Sequence, residues 1–411
     1  MATAVIPESS APAKPLHPLR NRNFRLWWIG QTISLLGDQF YIVALPWLIL
    51  QRTGSAVAMG TVMMAAAIPR AVLMLIGGAV TDRVSARKVM MSTASARTLL
   101  VAAVGLLEWM HVLQLWHLYL LAFAFGVADA FAGPAAQAFL PSLVQRDQMV
   151  ATFSVVQSTV QLTSIAAPAP VGWIIKALGI AWAFFIDAIS FLFIIGALWR
   201  LPDPPVTPSP GARPAMWRSI AEGIGLVGKD VPLRSLIWLA SVMNFCIAGP
   251  MTVGLAYLVK TRFGSPSAYG IVVAALAGGG LLGSLLAGVL KVRRRGLLIL
   301  SAGFALAVCI GSIGLLSRFW VLAGVLLLMG ATAGVTNVHI GAWIQQRLKP
   351  ETRGRVSSVL SLGTLGLLPV SLAVAGVLVA WNLQLMFILA GVALVTVVAA
   401  AALQETVRQI E

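Results

Sequence analysis

The chain has 411 residues, 59% of them apolar and only 10% charged, with 29 basic against 13 acidic groups and a formal net charge of +16. A water-soluble domain carries about a quarter of its residues charged, so this composition excludes one. The basic excess does not point to nucleic acid, because these residues fall in short stretches between apolar runs. The two cysteines, Cys246 and Cys309, both lie inside apolar runs and suggest neither a disulfide scaffold nor a metal centre.

Residues 1–23 are rich in Ala, Pro and Ser and lack an apolar core, so they read as a disordered cytoplasmic lead-in and not a cleavable signal. Twelve apolar runs follow, near 24–50, 56–80, 88–108, 115–140, 150–176, 178–199, 233–260, 267–290, 296–316, 318–346, 355–380 and 383–404. Each suits the roughly 20 residues that a helix needs to cross a bilayer. The one long polar connection, 200–232, opens with prolines too dense for a helix and continues into Trp217–Lys229, which suits a helix lying on the membrane surface. The expected fold is therefore all-α: a 24–199 bundle, this cytoplasmic linker, a 233–404 bundle and a 405–411 tail. Of the 29 basic residues, 22 fall on the side of the termini, five on the other, and Arg70 and Arg97 inside spans. The positive-inside rule then puts both termini in the cytoplasm, consistent with an even number of spans.

The halves are related. Arg52, Gly54, Ser55, Ala58 and Gly60 recur as Arg262, Gly264, Ser265, Ala268 and Gly270 at an offset of 210, and the same offset carries Gly78 onto Gly288 and Arg83 onto Arg293. Two copies of a six-span unit are the expected origin. At that offset His339 falls on Asp129.

An ionisable side chain in mid-span costs several kcal/mol, on the order of 3, unless it is paired or faces water. Asp38, Arg70, Arg97, Asp129 and Asp187 occupy such positions, all in the first half, whereas the second half offers only His339 with Asn244, Asn337 and Gln345. Charge and proton chemistry are thus expected in the first half, with Asp38 the first choice for the proton-carrying group, Asp129 the second and Asp187 the third. The opposing reading pairs Arg70 or Arg97 with a nearby carboxylate as a fixed strut. Gln31, Ser34 and Asp38 recur at helical spacing, as do Gln157 and Gln161, and each set suits either a cavity wall or hydrogen-bonded contact between helices. Gly278-Gly279-Gly280-Leu-Leu-Gly283 has no strand before it and reads as a close-packing helix face, not a nucleotide loop. No metal, cofactor or catalytic constellation is visible, so an enzyme is not expected, and an ion gradient would have to drive any transport.

Between the second and third runs lies Gly78-Ala-Val-Thr-Asp82-Arg83-Val-Ser-Ala-Arg87-Lys88, whose basic groups would face the C-terminal dipole of the helix before them. This turn, with twelve spans in two related halves, resembles the signature of the major facilitator superfamily. Leu35–Gln39, Leu45-Pro46-Trp47, Gly133–Pro141, Asp187–Phe191 and Arg353-Gly354-Arg355-Val356 resemble its bacterial macrolide-efflux and siderophore-export branch. The resemblance implies that Asp82 latches a cytoplasmic gate against the helix starting near Val356, with Arg83, Arg87, Lys88 and Arg355 in support. It departs from the antiporter signature of the fifth span, of which Ala167-Pro168-Ala169-Pro170-Val171-Gly172 keeps only Pro168 and Gly172.

The resulting expectation is a monomeric, proton-coupled exporter of amphipathic molecules that works by alternating access. The cavity would be lined by Gln31, Ser34, Asp38, Arg70, Arg97, Gln157, Gln161, Asn244, Asn337 and His339. A lipid flippase of the same fold and a non-transporting receptor are the rival readings.

Overall fold

The computed structural model describes residues 18–81, 84–203, 216–289, 294–348 and 350–403. Its described residues form helices and turns. The helices are α1 (Arg22–Thr53), α2 (Ala56–Thr81), α3 (Ala86–Trp109), α4 (Leu115–Phe139), α5 (Met149–Ala166), α6 (Pro168–Leu178), α7 (Ile180–Arg200) and α8 (Met216–Lys229) in the first part of the chain. They continue as α9 (Val231–Gly249), α10 (Leu255–Phe263), α11 (Pro266–Val289), α12 (Arg295–Ile313), α13 (Phe319–Arg347), α14 (Pro350–Gly366), α15 (Leu368–Trp381) and α16 (Leu383–Ala402). Twelve spans among them are long and apolar enough to cross a membrane.

Three spans are built from two helices. Pro168 starts α6 after a break at Ala167, a π-turn over Pro250–Gly254 joins α9 to α10, and Leu367 separates α14 from α15 just before Pro369. A proline inside a span removes one backbone donor and crowds the preceding turn, which is why each break coincides with one.

Helix pairing repeats between the halves. α2 packs on α4 as α11 packs on α13; α3 packs on α7 as α12 packs on α16; and across the halves α2 meets α15 while α11 meets α6. The turns repeat as well: Gly54 (φ 64°) ends α1 and Gly264 (φ 62°) ends α10, both in the left-handed region that a side chain would strain. The Gly54 turn marks what is here called the far face, opposite the terminal face where Pro18 and Ala402 lie.

The 210 offset does not hold along the whole repeat. A Cβ on Gly126 would strike the carbonyl of Ala66, and one on Gly330 would strike that of Leu276. Ala66 and Leu276 obey the offset, so Gly126 corresponds to Gly330 and the register on α4 and α13 is 204. The slip arises in α12, which has 19 residues against 24 in α3. Asp129 therefore corresponds to Ala333, and the expected pairing with His339 is corrected.

The closest approaches between halves lie toward the far face, and they are made by backbone. A Cβ on Gly60 would crowd Leu372 and Gly376 of α15, one on Gly172 would crowd Pro266 and Ser267, and one on Gly270 would crowd Pro168 and Ala169. Trp47 stacks on Tyr269 across the same layer, with ring centroids 6.2 Å apart. Within the second half, Gly279 and Gly283 admit α13 to backbone contact, so the glycine run is a packing face as expected.

At the terminal face Asp230 caps α9, accepting from the Leu233 N–H at 3.2 Å, and takes two bonds from Arg347 at 2.9 and 3.1 Å. Partial burial alone would raise the Asp230 carboxyl, but the Arg347 guanidinium and the Leu233 N–H outweigh it and hold the group below the usual carboxylate value. A depressed native value gives stability that is present above the ordinary carboxylate pKa and disappears as pH falls through it. Asp230→Asn keeps the cap and loses the ion pair, so it should cost about 0.5–1 kcal/mol near neutrality. Asp230→Ala should cost about 1 kcal/mol more. In thermal unfolding in detergent, the gap between wild type and the Asn variant should close below about pH 4. A second expectation concerns the far-face seal. Gly60→Leu should open it, lengthening the distance between spin labels on Thr53→Cys and Trp381→Cys; an unchanged distance would mean that the Gly60 contact does not hold the face shut.

Candidate functional site

Four of the five mid-span charges meet on one wall of a cavity. Arg97 of α3 pairs with Asp38 of α1 through the Nη2–Oδ1 contact and lies 3.7 Å from Asp129 of α4; Arg70 of α2 closes on the other Asp129 oxygen at 3.1 Å. The Arg97 guanidinium lies over two rings, 5.1 Å from the Phe125 centroid and 4.4 Å from that of Phe191. Quadrupole attraction from two rings together with carboxylate partners suits a desolvated guanidinium better than an ammonium, which is why an arginine fits here.

The fifth group, Asp187 of α7, is fully buried behind this wall. The Ser190 hydroxyl donates to the Asp187 backbone carbonyl at 2.7 Å, and neither carboxylate oxygen has a hydrogen-bond partner among the described residues. Gly37 makes this approach feasible, since a Cβ there would collide with Ser190 and Asp187. With all five groups ionised the cluster holds three negative and two positive charges. One proton or one monovalent cation neutralises it, and in a low-dielectric interior that neutralisation is strongly favoured.

The cavity has a volume of about 480 Å³ and lies between the halves. Asp38, Arg70, Arg97 and Asp129 supply its charged wall, while the second half contributes Met251, Thr252, Leu255, Tyr269, Val273, Leu276, Leu368 and Leu372. A polar wall of two carboxylates and two guanidinium groups therefore faces an almost wholly apolar one. Thr252 and Met251 belong to the π-turn, an irregular backbone segment of the kind that recurs at functional sites. A second cavity of about 180 Å³ lies inside the first bundle and shares Asp38, Arg97 and Asp129 with the first.

The remaining candidates fall elsewhere. Gln31 and Ser34 line the smaller cavity. Gln161 reaches the Ala277 carbonyl at 3.5 Å, the bridging role, and Gln157 is exposed. Asn244, Asn337 and His339 line neither cavity; His339 is buried with Nε2 unpartnered, and Asn337 is exposed. Pro168 and Gly172 pack the fifth span on the eighth at the far face. Asp82 and Arg83 of the expected gate, the surroundings of Gly78 and the side chain of Arg355 lie outside the described residues. Arg87 donates to the Leu198 and Trp199 carbonyls at 2.6 and 3.2 Å, so it caps α7 and not the preceding α2 as expected; Lys88 is exposed. Sequence reading missed Tyr41 and Tyr269. Tyr41 stands one turn from Asp38 and stacks on Phe125 with centroids 4.2 Å apart. Its signal was present: it is one of four tyrosines in the chain, placed at i+3 from a mid-span carboxylate.

Two related bundles, discontinuous spans and a charged cavity at mid-depth define a membrane transporter of the major facilitator fold, not an enzyme. The chain belongs to the transmembrane secretion effector family of that superfamily, whose model matches residues 13–411. Among curated proteins it is 25% identical over 347 residues to macrolide efflux protein A of Streptococcus pyogenes, covering 81% of this chain and 83% of that one. It is 28% identical over 353 residues to the multidrug efflux pump Tap of Mycobacterium tuberculosis, with 84% of each covered. The fold resembles those of the nucleoside transporter NupG (TM-score 0.73, 12% identity, 92% of this chain and 98% of that one) and a bacterial ferroportin homologue in its inward-facing state (TM-score 0.68, 17% identity, 92% and 99%).

Arg97 has a testable weight in this arrangement. Removing one partner of a buried ion pair costs about 3–5 kcal/mol because the remaining charge is stranded. Arg97→Met should therefore lower stability by about that amount, and adding Asp38→Asn should recover at least about 1 kcal/mol of it. A double-mutant cycle by thermal unfolding in detergent measures this; strict additivity would show that the two groups do not interact.

Proposed function

We propose that this chain exports amphipathic small molecules, cationic ones among them, in exchange for protons by alternating access of its two bundles. The observation that carries the reading is the cluster itself: Asp38, Arg97, Asp129 and Arg70 balance one another on the cavity wall, and the buried Asp187 carboxylate behind them adds one negative charge when ionised. A site that reaches neutrality by taking either one proton or one cation makes the two ligands compete, and such competition is the thermodynamic basis of exchange. Asp38 is the first choice for the proton-carrying group, because it lines both cavities and meets Arg97 directly; Asp129 is held by two arginines, and Asp187 is shut away from both cavities. The efflux proteins similar to this chain support the direction of transport, and the apolar second-half wall suits the hydrocarbon part of the substrate. In this reading the terminal face is cytoplasmic, Asp82 and its basic neighbours close that face, and the protein works as a monomer in the bacterial inner membrane.

The test is efflux of ethidium from proteoliposomes under an imposed proton gradient. Wild type should require the gradient, and Asp38→Asn should lose at least about 90% of gradient-driven movement while retaining ethidium exchange without a gradient. Equal gradient-driven rates for both proteins would remove Asp38 from the coupling. Movement of labelled lipid in place of dye would replace the exporter reading with a flippase.

A further inference from the structure

The two cavities meet at the charge cluster from opposite sides, and helix direction shows this. α1, α3 and α7 contribute to the smaller cavity Gln31 and Ser34, Thr93 and Ala94, and Ile194. α1 and α3 start at the terminal face, so Gln31, Ser34, Thr93 and Ala94 precede Asp38 and Arg97 on the way in; α7 ends there, so Ile194 follows Asp187 on the way out. α4 also ends at that face, and its contribution, Gly133, follows Asp129. Every one of these residues therefore lies between the cluster and the terminal face. The larger cavity reaches from the cluster toward the far face, where Leu45, Phe125 and Tyr269 line it. The Asp38–Arg97 pair stands in the partition.

The two spaces differ in kind. The smaller lies within one bundle, carries the polar side chains Gln31, Ser34 and Thr93, and at about 180 Å³ has room for a few waters but not for a drug-sized molecule. The larger lies between the bundles and has an apolar second wall.

We propose that the smaller cavity is a separate proton port, connecting Asp38 to the terminal face through water held by Gln31, Ser34 and Thr93, so that proton and substrate reach the same charge cluster from opposite sides. This rests on the exchange reading given above. A substrate arriving in the larger cavity then displaces the proton without meeting it, because the proton departs behind the cluster. The charged groups around Asp38 are Arg97 on α3, Asp129 on α4, Arg70 on α2 and Asp187 on α7, with Tyr41 one turn away on its own helix. None of them comes from the second bundle, so the port and its proton site travel together as one bundle.

Gly133 supplies the lever. A Cβ added there meets nothing within 4 Å, so Gly133→Leu enters the smaller cavity without touching the substrate wall. The experiment is stopped-flow proton release, read with a pH dye, when the purified full-length protein is mixed with tetraphenylphosphonium. Equilibrium affinity at pH 8.5 serves as the control for folding. Wild type should release a proton in step with binding, and Asp38→Asn should release none. Gly133→Leu should keep its affinity within about twofold yet release the proton at least tenfold more slowly, and Thr93→Val, which removes a port hydroxyl at constant volume, should slow release by a smaller factor. Val273→Phe, which narrows the larger cavity, should weaken binding while leaving release in step with it. Release at the wild-type rate from Gly133→Leu would overturn the port and leave the exchange reading standing. No Asp38-dependent release from wild type would overturn both.

Discussion

The Arg97 guanidinium is the constraint on which the first half depends. Three carboxylates in a medium of low dielectric repel one another strongly, and each would be costly alone. Arg97 holds two of them, Arg70 shares one, and the rings of Phe125 and Phe191 replace the water that the guanidinium has lost. The helix packing follows from these contacts. α1, α3 and α4 must bring Asp38, Arg97 and Asp129 to one depth, and Gly37 must lack a side chain so that α7 can close behind them.

The second half performs the opposite task. Its counterparts of Asp38, Arg70 and Asp129 at the repeat offsets are Ala248, Gly280 and Ala333, so the second unit shares the helix pairing without these charges. What remains is an apolar wall opened by one π-turn. In the proposed exchange, this division between a charged bundle and a neutral one lets a single cluster serve proton and substrate together.

Much of this was legible in the chain. A charge inside an apolar run stands out because hydrocarbon makes it expensive, so Asp38, Arg70, Arg97, Asp129 and Asp187 could be named before any fold was known. The spans were legible for the same reason, and their ends moved by only a few residues, as where α1 begins at Arg22 and not near Phe24. Pairing was not legible, because it depends on where helices cross and not on spacing along one of them. Nothing in the sequence separates the exposed Gln157 from Gln161, which reaches across to α11, four residues on. The match of His339 to Asp129 failed because the shortening of α12 changed the register out of sight of the local identities. Arg87 was read as serving the helix before it in sequence, when the free carbonyls nearest in space belong to α7.

The far-face seal has an energetic consequence. Its closest contacts are glycine against backbone, at Gly60, Gly172 and Gly270, joined by one aromatic stack. Among the described residues the ion pairs at that face, such as Arg52 with Glu108 at 2.8 Å, lie within a half and not between halves. Among the described residues, parting such surfaces strands no charge, so what is given up on opening this face is chiefly close backbone packing and one ring stack. In the exchange proposed above, neutralising one charge in the cavity acts against a seal of this kind.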